Sequence, residues 1–141
     1  MEKIKSILAD AVEHLTGEAT CVLARPDREI ELSREKGIRP LLLWLRADEK
    51  YMRGAVIADR IIGRAAAFLA VYGGARAVYG EVMSAGAVPI LEGAGIEYSY
   101  KTITERIVNR KGDGPCPMEQ AVSGVSDPSQ AVAILREKVF G

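Results

Sequence analysis

The sequence predicts a single α/β domain over residues 1–141, a three-layer α/β/α sandwich with a mixed sheet of about five strands. Three observations lead there. The candidate elements run helix, hairpin, then strand and helix in alternation, which argues for a parallel stretch with the hairpin at one edge. The hairpin has its own turn chemistry, Arg25-Pro-Asp-Arg28 between two short apolar runs. No repeat, low-complexity tract or linker divides the 141 residues, a length sufficient for one core.

Residues 2–16 place Ile4, Ile7, Leu8, Ala11, Val12 and Leu15 at helical spacing, and Gly17 is a suitable stop. Cys21–Ala24 and Glu29–Leu32 read as the hairpin strands. Pro40 suits a first helical turn, where its missing N–H costs nothing, and Leu41–Arg46 continue that helix. Gly54–Ala58 reads as a buried strand ending at Asp59. Ile61–Tyr72 then form a helix rich in small residues, closed by Gly73 and Gly74. Ala75–Val82 is a strand, Ala85–Ala94 a short helix with Pro89 in its first turn, and Ile96–Tyr100 an alternating strand. Thr102-Ile-Thr-Glu105 has capping-box spacing and predicts a helix through Val108. Asn109–Pro115 is a polar loop, Cys116 opens a helix toward Ser123, and Asp127-Pro-Ser-Gln130 caps a final helix.

The composition removes several functions. Nineteen basic and nineteen acidic residues balance, so no net charge draws the chain to nucleic acid or membrane. With 48% hydrophobic and 27% charged residues the chain is globular rather than disordered. The charged start lacks the apolar stretch of a signal peptide, and no apolar run approaches the ~20 residues that span a bilayer. Two cysteines are too few for a disulfide framework and predict a reducing compartment, the cytoplasm. Neither Gly-x-Gly-x-x-Gly nor a Walker pattern occurs, so no cofactor is expected.

The run over 20–33, 38–47, 54–59, 61–73, 75–82, 86–94 and 96–101 follows the element order of the cytidine-deaminase-like fold, and the chain resembles it. Two blocks, Ala58–Ala67 and Asn109–Ala121, carry a closer resemblance to a small microbial family of unknown function assigned to that fold. The likeness covers roughly residues 17–135. It implies a deaminase scaffold without deaminase chemistry. Zinc deaminases open one core helix with His-Ala-Glu or Cys-Ala-Glu and the next with Pro-Cys-x-x-Cys. Here the openings read Gly37-Ile-Arg-Pro40 and Asp59-Arg-Ile-Ile-Gly63, with no His, Cys or Glu. The only His, His14, lies on the first helix. No metal is expected.

Asp59, at a strand-to-helix junction, could accept from a ligand N–H or act as a base; its plain role is a helix cap. Arg64 could hold an anionic group at the same mouth or be a solvated charge. Cys116, at a helix start near Arg110 and Lys111, is the candidate nucleophile, and Glu119 its candidate proton acceptor. Their plain reading is a capping box. Asn109, Arg110 and Lys111 sit in a Gly-containing loop able to close over phosphate or carboxylate, or simply to link two helices. Cys21, Trp44, Tyr98 and Tyr100 suit core packing.

The leading expectation is a metal-independent, degenerate deaminase-like protein that binds a small molecule, nucleobase- or nucleotide-like from the resemblance alone. Asp59 and Cys116 should then share one cleft. An alternative is a cysteine-dependent enzyme using Cys116 with Glu119 or Asp59. A third is a ligand-free interaction module whose exposed faces pair subunits into a homo-oligomer.

Overall fold

The computed structural model describes residues 2–27 and 29–141. Helix α1 (Glu2–Glu13) sets Ile7 and Ala11 one turn apart on its buried side, and Leu15 just beyond it continues the stripe. Strands β1 (Cys21–Ala24) and β2 (Ile30–Ser33) form the hairpin, with Arg25 N–H donating to the Glu29 carbonyl at 2.9 Å. Of the expected turn, Arg28 lies outside the described residues. Helix α2 (Arg39–Ala47) begins with Pro40 in its first turn.

Strand β3 (Val56–Ile62) is longer than the apolar run suggests, and helix α3 (Arg64–Gly73) begins three residues later than expected. Asp59 is therefore the middle of a seven-residue strand, not its end. The reason is tertiary: Ile61 and Ile62 pair in parallel with Val82 and Met83 of β4 (Ala77–Ser84), which satisfies backbone groups that a helix would otherwise use. Helix α4 (Ala87–Gly93) follows, then β5 (Glu97–Thr104). The expected helix over Thr102–Val108 does not form. Thr102, Ile103 and Thr104 instead pair with Val82, Met83 and Ser84, as suits β-branched residues. Helix α5 (Pro117–Ala121) is a single short turn, and α6 (Pro128–Phe140) is capped by Asp127, whose Oδ1 accepts from Ser129 N–H at 3.2 Å.

The five strands form one mixed sheet in the order β2-β1-β3-β4-β5. β1 is antiparallel to both neighbours, and β3, β4 and β5 are parallel. The hairpin lies at one edge, as expected. Alternation divides β1 between two apolar clusters. Val22 and Ala24 pack with α1; Cys21 and Leu23 join the larger cluster of α2, α3, α4 and α6. Ile57 and Ile62 both enter the larger cluster although five residues apart, so alternation slips by one within β3. Val78 and Met83 record the same slip in β4. Gly80 sits between them. A Cβ there would lie 2.9 Å from the Val82 carbonyl oxygen and 3.0 Å from Ile62 Cγ1, so the local bend excludes a side chain. No helix of the described residues is long and apolar enough to cross a membrane.

Candidate functional site

The C-terminal ends of β4 and β5 and the start of α3 meet at one edge of the sheet, the edge where open α/β sheets bind ligands. A cleft of about 200 Å³ lies there. Ser84 ends β4, Arg64 starts α3, Glu105 and Arg106 follow β5, and Glu119 and Gln120 come from α5. Ile107 and Pro115 complete a wall. Of the expected site residues, Arg64 and Glu119 reach this cleft. Asp59 and Cys116 line neither it nor the adjoining cavity. Ser84, Glu105 and Arg106 are not among the residues the sequence points to, the last two because they fall inside the expected helix after Thr102.

Glu119 does not close a capping box with Cys116. Its Oε1 accepts from Arg64 N–H and its Oε2 from Ala65 N–H, each at 2.8 Å. One carboxylate thus caps α3 from α5, satisfying two of the helix's first free amides and complementing its positive end. Gly63 makes room, because a Cβ there would collide with the Glu119 carboxylate. With both oxygens engaged, Glu119 is a structural cap in this geometry and offers no idle base.

The Arg64 side chain ties α3 to the segment after α5. Nη2 donates to the Val125 carbonyl at 2.8 Å and to that of Val122 at 3.4 Å, and the guanidinium stands 5.4 Å from the Phe68 ring centre. Its Nε is buried and finds no acceptor among the described residues. A buried unpaired donor costs about 1–3 kcal/mol, so this group calls for an acceptor. Arg64 also lines a second cavity of about 450 Å³ between α3, α4 and the start of α6.

Asp59 is 5% exposed and stands directly across from Cys21. Its Oδ1 accepts weakly from Ile61 N–H, at 3.4 Å. Burial pushes its pKa up to about 7 against the smaller pull of the Ile61 N–H and the Cys21 thiol. Burial, then the Asp59 carboxylate, holds the Cys21 thiol well above its ordinary value. Arg60 does little to neutralise Asp59, because its guanidinium is held by Glu81 at 2.9 Å and by the carbonyls of Ala19 and Gly17.

Cys116 is half-buried at the start of α5, and its side chain makes no cap bond. No hydrogen bond among the described residues joins it to Asp59. The loop behind it is stitched to itself. Asn109 Nδ2 donates to Asp113 Oδ1 at 2.9 Å, Asp113 N–H returns to Asn109 Oδ1 at 3.2 Å, and Val108 bridges Pro115. Arg110 and Lys111 are exposed at the tip.

The residues at the two helix openings do not fit the zinc of a deaminase. α2 opens with Ile38, Arg39 and Pro40, and α3 opens with Gly63, Arg64 and Ala65, of which Glu119 already holds the last two amides. Among the described residues, no three His, Cys, Asp or Glu side chains gather into a metal-binding group.

No curated protein matches the chain. A DUF1893 family protein (TM1506) from Thermotoga maritima, known from its crystal structure, is 21% identical and shares the fold. Its TM-score is 0.86, over 95% of this chain and 90% of that one. The family model TM1506, a domain of unknown function (DUF1893), matches residues 10–139. With nearly its whole length matched by that model, the chain belongs to the DUF1893 family.

Proposed function

We propose that the chain binds a small polar molecule in the cleft at the C-terminal edge of its parallel strands. On this reading it is a metal-independent, degenerate protein of the cytidine-deaminase-like kind, its two apolar clusters separating the layers of an α/β/α sandwich. The observation that carries the proposal is the buried Nε of Arg64, which finds no acceptor among the described residues, on a side chain that lines a cleft at the edge where α/β sheets take ligands. At about 200 Å³ the cleft is smaller than the ~300 Å³ or more of drug-sized sites, which favours a nucleobase-sized ring compound over a dinucleotide. Arg64 and Arg106 would donate to ring nitrogens and carbonyls, and Glu105 and Gln120 would accept from amino groups. Asn109 braces the neighbouring loop, where Arg110 and Lys111 offer cations to a phosphate. Cys21 and Cys116 are free thiols, consistent with a cytoplasmic setting. The reading of Cys116 as a nucleophile assisted by Glu119 or Asp59 lacks comparable support, since Glu119 holds α3 and Cys116 faces neither cavity.

Thermal-shift screening against nucleobases, nucleosides and nucleotides, followed by calorimetry, tests the proposal. At least one class should raise the melting temperature. Arg106→Gln, which alters an exposed side chain, should weaken that binding about tenfold while leaving the unliganded melting temperature unchanged. If no panel member shifts the melting temperature at ~1 mM, the proposal fails.

A further inference from the structure

The sheet has two edges of unequal kind. β2 has four residues, and its Glu31 is tied to Arg25 and to the Tyr51 hydroxyl. β5 has eight residues, contains no Pro, and exposes five in a row from Ser99 to Ile103. A long, unblocked edge strand is a template for another strand. Glu97 donates its N–H inward to the Arg76 carbonyl. Alternation turns the backbone N–H and C=O of Tyr98 and Tyr100 outward along the free edge, up to Lys101, where the ladder with β4 skips a pair before Thr104 C=O again faces inward, to Ala85 N–H. The Tyr98 hydroxyl donates to Glu92 of α4 at 2.7 Å, so Tyr98 and Tyr100 lie on the α4 face while Glu97, Ser99 and Lys101 lie on the other. Neither Glu97 nor Lys101 has a charged partner among the described residues.

We propose that β5 is the interface between two copies of this chain, paired antiparallel about a two-fold axis at Ser99. This register places Lys101 opposite the partner's Glu97 twice, Tyr98 opposite the partner's Tyr100 twice, and Ser99 on the axis. The outward-facing residues Tyr98 and Tyr100 become the hydrogen-bonded pairs. Glu97 and Lys101 become the non-hydrogen-bonded pairs, where opposed side chains are closest. Other registers fit worse. An axis at Lys101 opposes two like charges, and an axis at Tyr100 sets Glu97 against Ile103. A one-residue slip would turn opposed side chains to different faces. The reciprocal Glu–Tyr–Ser–Tyr–Lys pattern fits a second copy better than an unrelated extended peptide. Two five-stranded sheets then join into one continuous sheet.

Sedimentation equilibrium of the full chain should give twice the chain mass at ~100 μM. Lys101→Glu or Glu97→Lys alone should weaken the dimer by about tenfold or more, with the circular dichroism spectrum of the monomer unchanged. Mixing the two single variants should restore association as a heterodimer, because each then opposes the other's charges, and the double variant should dimerise like the parent. A parent chain that stays monomeric, one that is monomeric yet takes up extended peptides, or a dimer indifferent to these exchanges overturns the proposal.

Discussion

Replacing Asp59 by Asn tests whether a buried carboxylate in β3 makes the fold pH-sensitive. Asn keeps the size of the side chain and an oxygen for Ile61 N–H but cannot ionise. Burial raises the folded-state pKa from the ordinary 3.8 to about 7. Between those values the folded chain holds a proton that the unfolded chain has released, so stability falls as pH rises. The contribution is fully present below pH 3.8 and is lost by the time the pH has passed about 7. Three units at ~1.4 kcal/mol each give about 4 kcal/mol over the full range, and roughly 2.5 kcal/mol between pH 5 and pH 8. Urea unfolding of both proteins across that window removes the other titrations by difference. The Asp59→Asn variant lacks this loss, so it should gain on the parent as pH rises, by a relative midpoint shift on the order of 1 M urea. Parallel pH profiles for the parent and Asp59→Asn are the contrary result. They would mean that Asp59 is solvated and ionises in the folded state much as it does in the unfolded one.

Other consequences are as direct. Gly63→Ala should cost about 2 kcal/mol because its Cβ displaces the Glu119 carboxylate from α3. The penalty should shrink in a Glu119→Ala background, and a double-mutant cycle in denaturant that shows simple additivity would contradict the cap. Thiol labelling of the native protein should modify half-buried Cys116, while Cys21, buried against Asp59, reacts only as the chain unfolds; equal rates would show that β1 opens readily. Asp127→Ala should lower stability by ~1 kcal/mol and Asp127→Ser by much less, measured by thermal unfolding, since Ser also accepts from Ser129 N–H.

The elements that were legible in the sequence are those whose hydrogen bonds and apolar contacts close locally. Ile7 and Ala11 mark their helix by spacing alone. Arg25 and Pro26 mark the hairpin, and Asp127 marks the start of α6 through a bond to the amide of Ser129, close by in the chain. The alternation of strands and helices also implies the parallel stretch with its hairpin at one edge, because parallel strands need crossovers and antiparallel ones do not.

The site was legible only in part. Asp59 reads as a strand end in the sequence because the apolar run stops at Ala58, yet the strand continues where β4 supplies partners for Ile61 and Ile62. Thr102 and Glu105 carry a helix-start pattern, but pairing with β4 supersedes it and carries Arg106 to the cleft. Glu119 has the spacing to serve Cys116 three residues away, and the fold gives its carboxylate to amides 54 and 55 residues away. Segments whose polar groups and apolar faces close locally show their helical or extended state in the sequence, whereas at Ile61–Ile62 and Thr102–Thr104 pairing with β4 overrides the local pattern. Tertiary structure decided which partner each strand end and carboxylate takes, because two local geometries can satisfy the same polar groups and only the neighbouring chain selects between them.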